Sequence, residues 1–247
     1  MSDLAPGAWG TGRGVRVAVI DSGIASGHPH VGAVGPGVWI RADGLSDDAR
    51  DYIGHGTAVA AAIREKAPDA ELIPVRVFDR TLVTTAAALA DAIVWSAGAG
   101  ARLINVSLGT RNLAHQGLLE AAIHAAEERG AIVIAAAAWQ GDPCLPGSLA
   151  GAIGVLGDAD CPRATVQLGP ALGDPLYASP FPRPIPGVPE QANLSGVSFA
   201  VANVTGLLAG LVEGAAEVRT AAALYERLGA LGVARREGES RNGVGPA

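Results

Sequence analysis

A chain of 247 residues, 49% of them apolar, has the length of a single α/β domain and enough apolar side chains to fill one sizeable core. Its net charge of −6 argues against nucleic acid as a main partner, and no apolar run reaches the length needed to cross a bilayer, so no membrane role is expected. The opening Met1-Ser2-Asp3-Leu4-Ala5-Pro6-Gly7 has neither the basic start nor the apolar stretch of a secretory signal, which points to a cytoplasmic protein unless a preceding segment has been trimmed; Cys144 and Cys161 could pair, although two thiols in a soluble enzyme are more often simply reduced.

In chain order, Ala5 to Arg13 reads as a lead-in that packs Trp9 on the domain surface. Gly14 to Asp21, GVRVAVID, is a short and nearly continuous apolar run, the mark of a strand buried on both faces of a parallel sheet. Asp21 therefore falls at the carboxyl end of a central strand, where open α/β sheets place their ligands. Residues 24–54 form a long connection rich in Gly, Pro and Asp, with Trp39-Ile40 as a short strand. Within it Asp43, Asp47, Asp48 and Asp51 crowd towards His55; their spacing fits no EF-hand loop and reads as a solvated acidic loop.

Gly54-His55-Gly56-Thr57 opens a helix that ends near Ala67-Pro68, and a strand from Glu71 to Phe78 follows. Thr84 to Ala97 has the apolar spacing of a helix, Leu103 to Leu108 that of a strand. Gln116 to Arg129 is a helix closed by Gly130, Ala131 to Ala138 a buried strand, and Ile153 to Leu156 another. Gly169 to Glu190 carries seven prolines and reads as a rigid wall without regular structure. Ser195-Gly196-Val197 then delivers Ser198 into a run with Phe199, Val201, Val204, Leu207, Leu208 and Leu211 at helical spacing. A last helix spans Val218 to Leu231. Residues 1–234 are expected as one domain and 235–247 as a disordered tail.

Taken singly, the polar residues have ordinary readings: Ser198 as a helix cap, Asp21 as a strand-end cap, His55 as a loop histidine. Taken together they supply a nucleophile at a helix N-terminus, a base, and an acid to orient that base. Unpaired N–H groups and the positive end of the helix dipole at Ser198 also favour an oxyanion forming beside its hydroxyl.

Three segments carry these residues: VAVIDSGI around Asp21, GHGTAVA around His55 and GVSFAVANVTG around Ser198. In the order Asp, His, Ser they resemble the subtilisin-like serine proteases, and the resemblance covers roughly residues 10–230. APDAELIPVRVF, ARLINVSLGT, AIVIAAA and LPGSLAGAIGVLG are weaker matches between the motifs. The resemblance implies a three-layer α/β fold, a mostly parallel central sheet with helices on both faces. It also implies a serine endopeptidase whose partner is a peptide or protein substrate, with Asp21, His55 and Ser198 catalytic. Ser107, Leu108 and Gly109 would pair with an extended peptide, and Ala136, Ala137 and Ala138 would floor a pocket open to a large apolar side chain.

The sequence departs from the family in three places. Where subtilisins carry Gly-Asn, with the Asn donating to the developing oxyanion, this chain has Ala138-Trp139. Losing one such donor costs about 10²–10³ in turnover, a magnitude that itself comes from a subtilisin. The oxyanion region is expected to draw on the Trp139 indole, on Gln140 after a one-residue shift, or on the Ser198 backbone alone. Ala202 and Asn203 replace a usual Pro-His pair, with a loss of packing and of a buried polar contact expected. The helix-to-strand connection after Lys66 leaves no room for the family's calcium loop, so no metal and no cofactor are expected.

The expected role is a dedicated intracellular protease that processes one peptide or precursor. Asp47 and Asp48 are candidates for favouring basic residues in its substrate. The alternatives are a catalytically impaired pseudoprotease that binds an extended peptide, and an acyl-transferring ligase or cyclase.

Overall fold

Runs of β-branched and aliphatic residues build the sheet. The computed structural model describes residues 9–41 and 43–237. Its central strand, β1 (Arg16–Asp21), pairs in parallel with β4 (Glu71–Arg76) on one side and β5 (Leu103–Val106) on the other. Outward from β5 lie β6 (Ile132–Ala136), β9 (Ala152–Gly157) and β10 (Leu176–Ala178); outward from β4 lie β2 (Val38–Arg41) and β3 (Gly44–Ser46). All pairings in this sheet are parallel except β2 with β3.

Alternation along the buried strands divides the core in two. Val17 and Val19 face a layer formed by α1 (His55–Lys66), α4 (Val197–Val212) and α5 (Ala221–Ala230). Ala18 and Ile20 face α2 (Ala86–Gly98) and α3 (Gln116–Glu128) on the other side. The result is the three-layer α/β arrangement expected from the sequence. Small residues let α1 and α4 lie close together. A Cβ on Gly206 would stand 2.9 Å from the Ile63 carbonyl oxygen and 2.9 Å from Lys66 Cβ, so α4 needs glycine at this crossing. That approach sets the N-termini of the two helices, with His55 and Ser198, beside each other.

Several boundaries move. β5 ends at Val106, and Ser107 to Gly109 leave the sheet. The expected strand Ala131–Ala138 breaks after Ala136 into a separate hairpin, β7 (Ala138–Trp139) with β8 (Asp142–Pro143). Gln140 (φ 53°) and Gly141 (φ 87°) form its turn, both in the left-handed region that a tight hairpin needs. The proline-rich wall is not devoid of regular structure, because β10 lies inside it. Asn203 is fully buried and replaces the polar contact expected to be lost: its Nδ2 donates to the carbonyls of Ser179 (2.8 Å) and Phe181 (3.0 Å), tying that wall to α4.

Arg235 and Arg236, expected to open the tail, instead dock on the domain. Arg235 bridges to Leu168, and Arg236 pairs with Asp158 at 2.8 Å and lies over Tyr177. Residues 238–247 of the expected tail and 5–8 of the lead-in lie outside the described residues. Trp9 is half-buried against the α1/α4 core. Cys144 and Cys161 are both free and buried. Among the described residues, no helix is long and apolar enough to cross a membrane.

Candidate active site

β1 delivers Asp21, and α1 begins at the residue that meets it. His55 Nδ1 lies 2.9 Å from both carboxylate oxygens of Asp21, which is fully buried. The backbone N–H of Ser22 donates to the same carboxylate at 2.6 Å. Glycine on both sides of His55 allows the fit: Gly54 turns the chain at φ 95°, and any Cβ on Gly56 would collide with the Gly23 carbonyl. Burial pulls the imidazole pKa down, but the hydrogen bond and charge of Asp21, with the charge of Asp51 behind it, outweigh burial and leave it above its ordinary value.

The His55 ring also faces Phe199, with centroids 5.7 Å apart, so the first turn of α4, bearing Ser198, sits beside the imidazole. That turn begins at Gly196, which offers no side-chain cap; its carbonyl accepts from Phe199 N at 3.0 Å, and the N–H groups of Val197 and Ser198 come too early in the helix to have an acceptor within it. α4 is anchored from within the core: Thr205 Oγ1 donates to Asn105 Oδ1 (3.0 Å), and Asn105 Nδ2 donates to Ser107 Oγ (2.8 Å). One buried asparagine thus links the Ser198 helix to the 107–109 edge.

Asp51, expected as one of several solvated loop carboxylates, is the main support of this site. Its Oδ1 accepts from Ser22 Oγ (2.9 Å), Ile53 N (2.9 Å) and Gly54 N (2.7 Å); its Oδ2 accepts from Thr57 N (2.9 Å) and Thr57 Oγ1 (2.6 Å). Ser22 Oγ in turn accepts from Gly56 N at 2.9 Å. Asp51 therefore holds the start of α1 and the end of β1 in one network. The signal available in the sequence is its place four residues before His55, in reach of the helix's unpaired N–H groups. Two of the other acids of this loop have nearby partners: Asp43 pairs with Arg41 and Asp48 with Arg50, with Arg76 3.6 Å from Asp48.

The expected substrate edge and pocket floor come together. Thr110 and Leu145 exchange backbone hydrogen bonds of 3.0 and 2.8 Å, which closes Ser107–Gly109 onto the segment after the hairpin. The space beside Gly109 holds the Cys144 thiol: a Cβ on Gly109 would stand 2.5 Å from its Sγ. Cys144 N donates to the Ala137 carbonyl at 2.9 Å, which ties this segment to the Ala136–Ala138 run.

Trp139 and Gln140 lie on the hairpin. Gln140 is exposed at its turn, and Trp139 is 55% exposed with Arg111 over its ring at 5.4 Å. Arg111 also pairs with Asp142 at 2.9 Å, bracing the hairpin against the 107–110 edge. On the other side of His55, a cleft of ≈340 Å³ opens between Gly54, Ala58 and the approach to Ser198 at Asn193 and Leu194.

Comparison with known proteins agrees with this geometry. The family model described as "Subtilase family" matches residues 12–145. Thermitase of Thermoactinomyces vulgaris is 32% identical, covering 88% of this chain and 83% of its own. Subtilisin Savinase of Lederbergia lenta is 30% identical over 83% of this chain and 76% of its own. Among solved structures, a protease from Pseudoalteromonas arctica superposes with a TM-score of 0.67 at 21% identity, covering 87% of this chain and 82% of that one.

Proposed function

Because this chain belongs to the subtilase family and is a subtilisin-like serine protease, a hydrolase of peptide bonds in peptides or proteins, we propose that Ser198 is its nucleophile. His55 takes the hydroxyl proton and passes it to the leaving amine, while Asp21 orients the imidazole and balances its charge. The acyl group on Ser198 Oγ is then released by water. The observation that carries this reading is the 2.9 Å contact of His55 Nδ1 with buried Asp21, next to the Ser198 turn. With Nδ1 committed to the carboxylate, Nε2 is the nitrogen left to accept the hydroxyl proton.

The oxyanion donors in this reading are the N–H groups of Val197 and Ser198 at the start of α4, helped by the helix dipole. No asparagine takes the family's place on the hairpin, so chemistry is slower than in relatives that have one. A slow site suits a protease that processes one peptide or precursor rather than one that degrades bulk protein. It works without structural calcium in this reading, since only Ala67–Ala70 separate α1 from β4.

Mass spectrometry of a peptide mixture incubated with the chain tests the function. Processing predicts a few related cuts, each adding one water across the two products. Joined products lacking a water would favour acyl transfer, bound but uncut peptide would favour a binding module, and broad digestion of casein would contradict a processing role.

A further inference from the structure

The opposite ends of the strands that carry the active site surround a second feature. Gly14 leads into β1, Ala101 and Arg102 into β5, and Gly130 into β6. A strand the length of β1 sets these residues ~20 Å from the end that bears Asp21. With the turn after α4 they enclose a pocket of ≈620 Å³ whose lining includes Arg13, Arg16, Arg102, Arg129 and Arg219. Five arginines converge here in a chain whose net charge is −6.

Their hydrogen bonding is incomplete. Arg13 pairs with Asp69 (3.4 Å) and Arg16 with Glu71 (3.1 Å). Among the described residues Arg102, Arg129 and Arg219 have no carboxylate partner within ion-pair distance and donate only to backbone carbonyls. Arg102 reaches those of Ala215 and Val218, Arg129 that of Ala125, and Arg219 that of Arg129. Those four contacts use a small part of the ~15 N–H donors on three guanidiniums. Arg102 Nε is shut off from solvent and has no partner. Burial, and after it the charge of Arg219, pushes the Arg102 pKa down against the weaker opposing charge of Glu217.

We propose that this pocket binds a linear polyphosphate, a chain of tetrahedral oxyanions either free or as the tail of a nucleotide. Guanidinium forks match phosphate oxygens bidentately, and the volume is that of a small-molecule site, not of an extended peptide groove. Gly14 and Gly214 leave open space where side chains would stand, so a compact anion can approach the backbone. The site is independent of Ser198 chemistry and is tested by binding, not by peptide cleavage.

The full chain is titrated calorimetrically with sodium tripolyphosphate and with ATP, and melted with each against sodium chloride of equal ionic strength. Saturable binding is expected, with a midpoint rise of roughly 2–4 °C at about a fivefold excess over Kd. An Arg129→Gln, Arg219→Gln double variant should weaken affinity by about tenfold or more. Should that variant melt too early, the exposed single change Arg129→Gln should still cost a few-fold. Tripolyphosphate binding as well as ATP assigns the site to the phosphate chain itself; tighter ATP assigns it to a nucleotide; both support the proposal. A shift equalled by sodium chloride, an affinity unchanged in the variants, or a preference for hexaglutamate over tripolyphosphate would overturn it.

Discussion

Asp51→Asn separates the network that holds the site from the groups proposed to do the chemistry. The carboxylate accepts five hydrogen bonds, three on Oδ1 and two on Oδ2. An asparagine keeps one acceptor oxygen and turns an NH₂ group towards the donors of the other, leaving two or three N–H or O–H groups without a partner. Bonds to a charged acceptor are each worth about 1.5–3 kcal/mol, reduced where water can reach. A loss of about 2–4 kcal/mol follows, or roughly 5–15 °C in melting midpoint for a chain of this size.

Catalysis should suffer through His55. Displacing the start of α1 is expected to lower kcat by about 10–100-fold with little change in KM. The pH profile supplies a signature that lost stability alone does not. In the wild type the imidazole pKa is raised, so the acid limb of kcat/KM has its midpoint above the ordinary ~6.5. Removing the Asp51 charge should move that limb to lower pH. Stability itself has the opposite sign for the two groups. The raised His55 contributes stability that is complete below ~6.5 and fades as pH rises through its folded value. For Asp51, burial raises the pKa, but the Thr57 hydroxyl and the N–H groups of Gly54, Ile53 and Thr57 outweigh it and leave the pKa lowered; its contribution is present above ~4 and lost as pH falls through the folded value. A variant within about 0.5 kcal/mol of wild type, with an unmoved acid limb, would refute the reasoning.

Burial depresses the amine of Lys66, the sole lysine, to about 8, so holding it charged in the folded state at pH 7 costs roughly 3 kcal/mol. Lys66→Met should stabilise by about 1–3 kcal/mol in urea melts at pH 7, and the gain should shrink towards pH 10 as the wild-type amine neutralises; destabilisation at pH 7 would count against it. Trp139→Asn returns an amide donor to the hairpin and should raise kcat about tenfold or more, whereas unchanged turnover would mean that a missing donor is not what limits the rate. A calcium chelator should leave the melting midpoint where it is; a fall of several degrees would reveal a structural ion.

Asp21, His55 and Ser198 were legible because each stands in a pattern with a physical cause: an apolar strand ending in a carboxylate, and two helix starts flanked by glycine. The nearly continuous apolar run from Gly14 to Asp21 made a strand buried on both faces readable, and the layered sheet followed from the family resemblance. What could not be read depended on contacts distant in sequence. Asp51 looked like its acidic neighbours until the fold placed Ser22 and Thr57 around it. The β7–β8 hairpin was hidden in an alanine run that fits a longer strand, although Gln140-Gly141 offered a turn signal. β10 sits among prolines, where local sequence argues against a strand and pairing with β9 decides otherwise. The Cys144 thiol reaches Gly109 from 35 residues further along the chain, and no periodicity in the sequence announces that contact.

The central claim is that Ser198 is activated by its neighbours, and labelling with a fluorophosphonate probe tests it most directly. Intact-mass readout should show one adduct on the wild-type chain, none on Ser198→Ala, and slower labelling as pH falls below the His55 limb. No adduct on the wild type at any pH, or an equal adduct on Ser198→Ala, would contradict it.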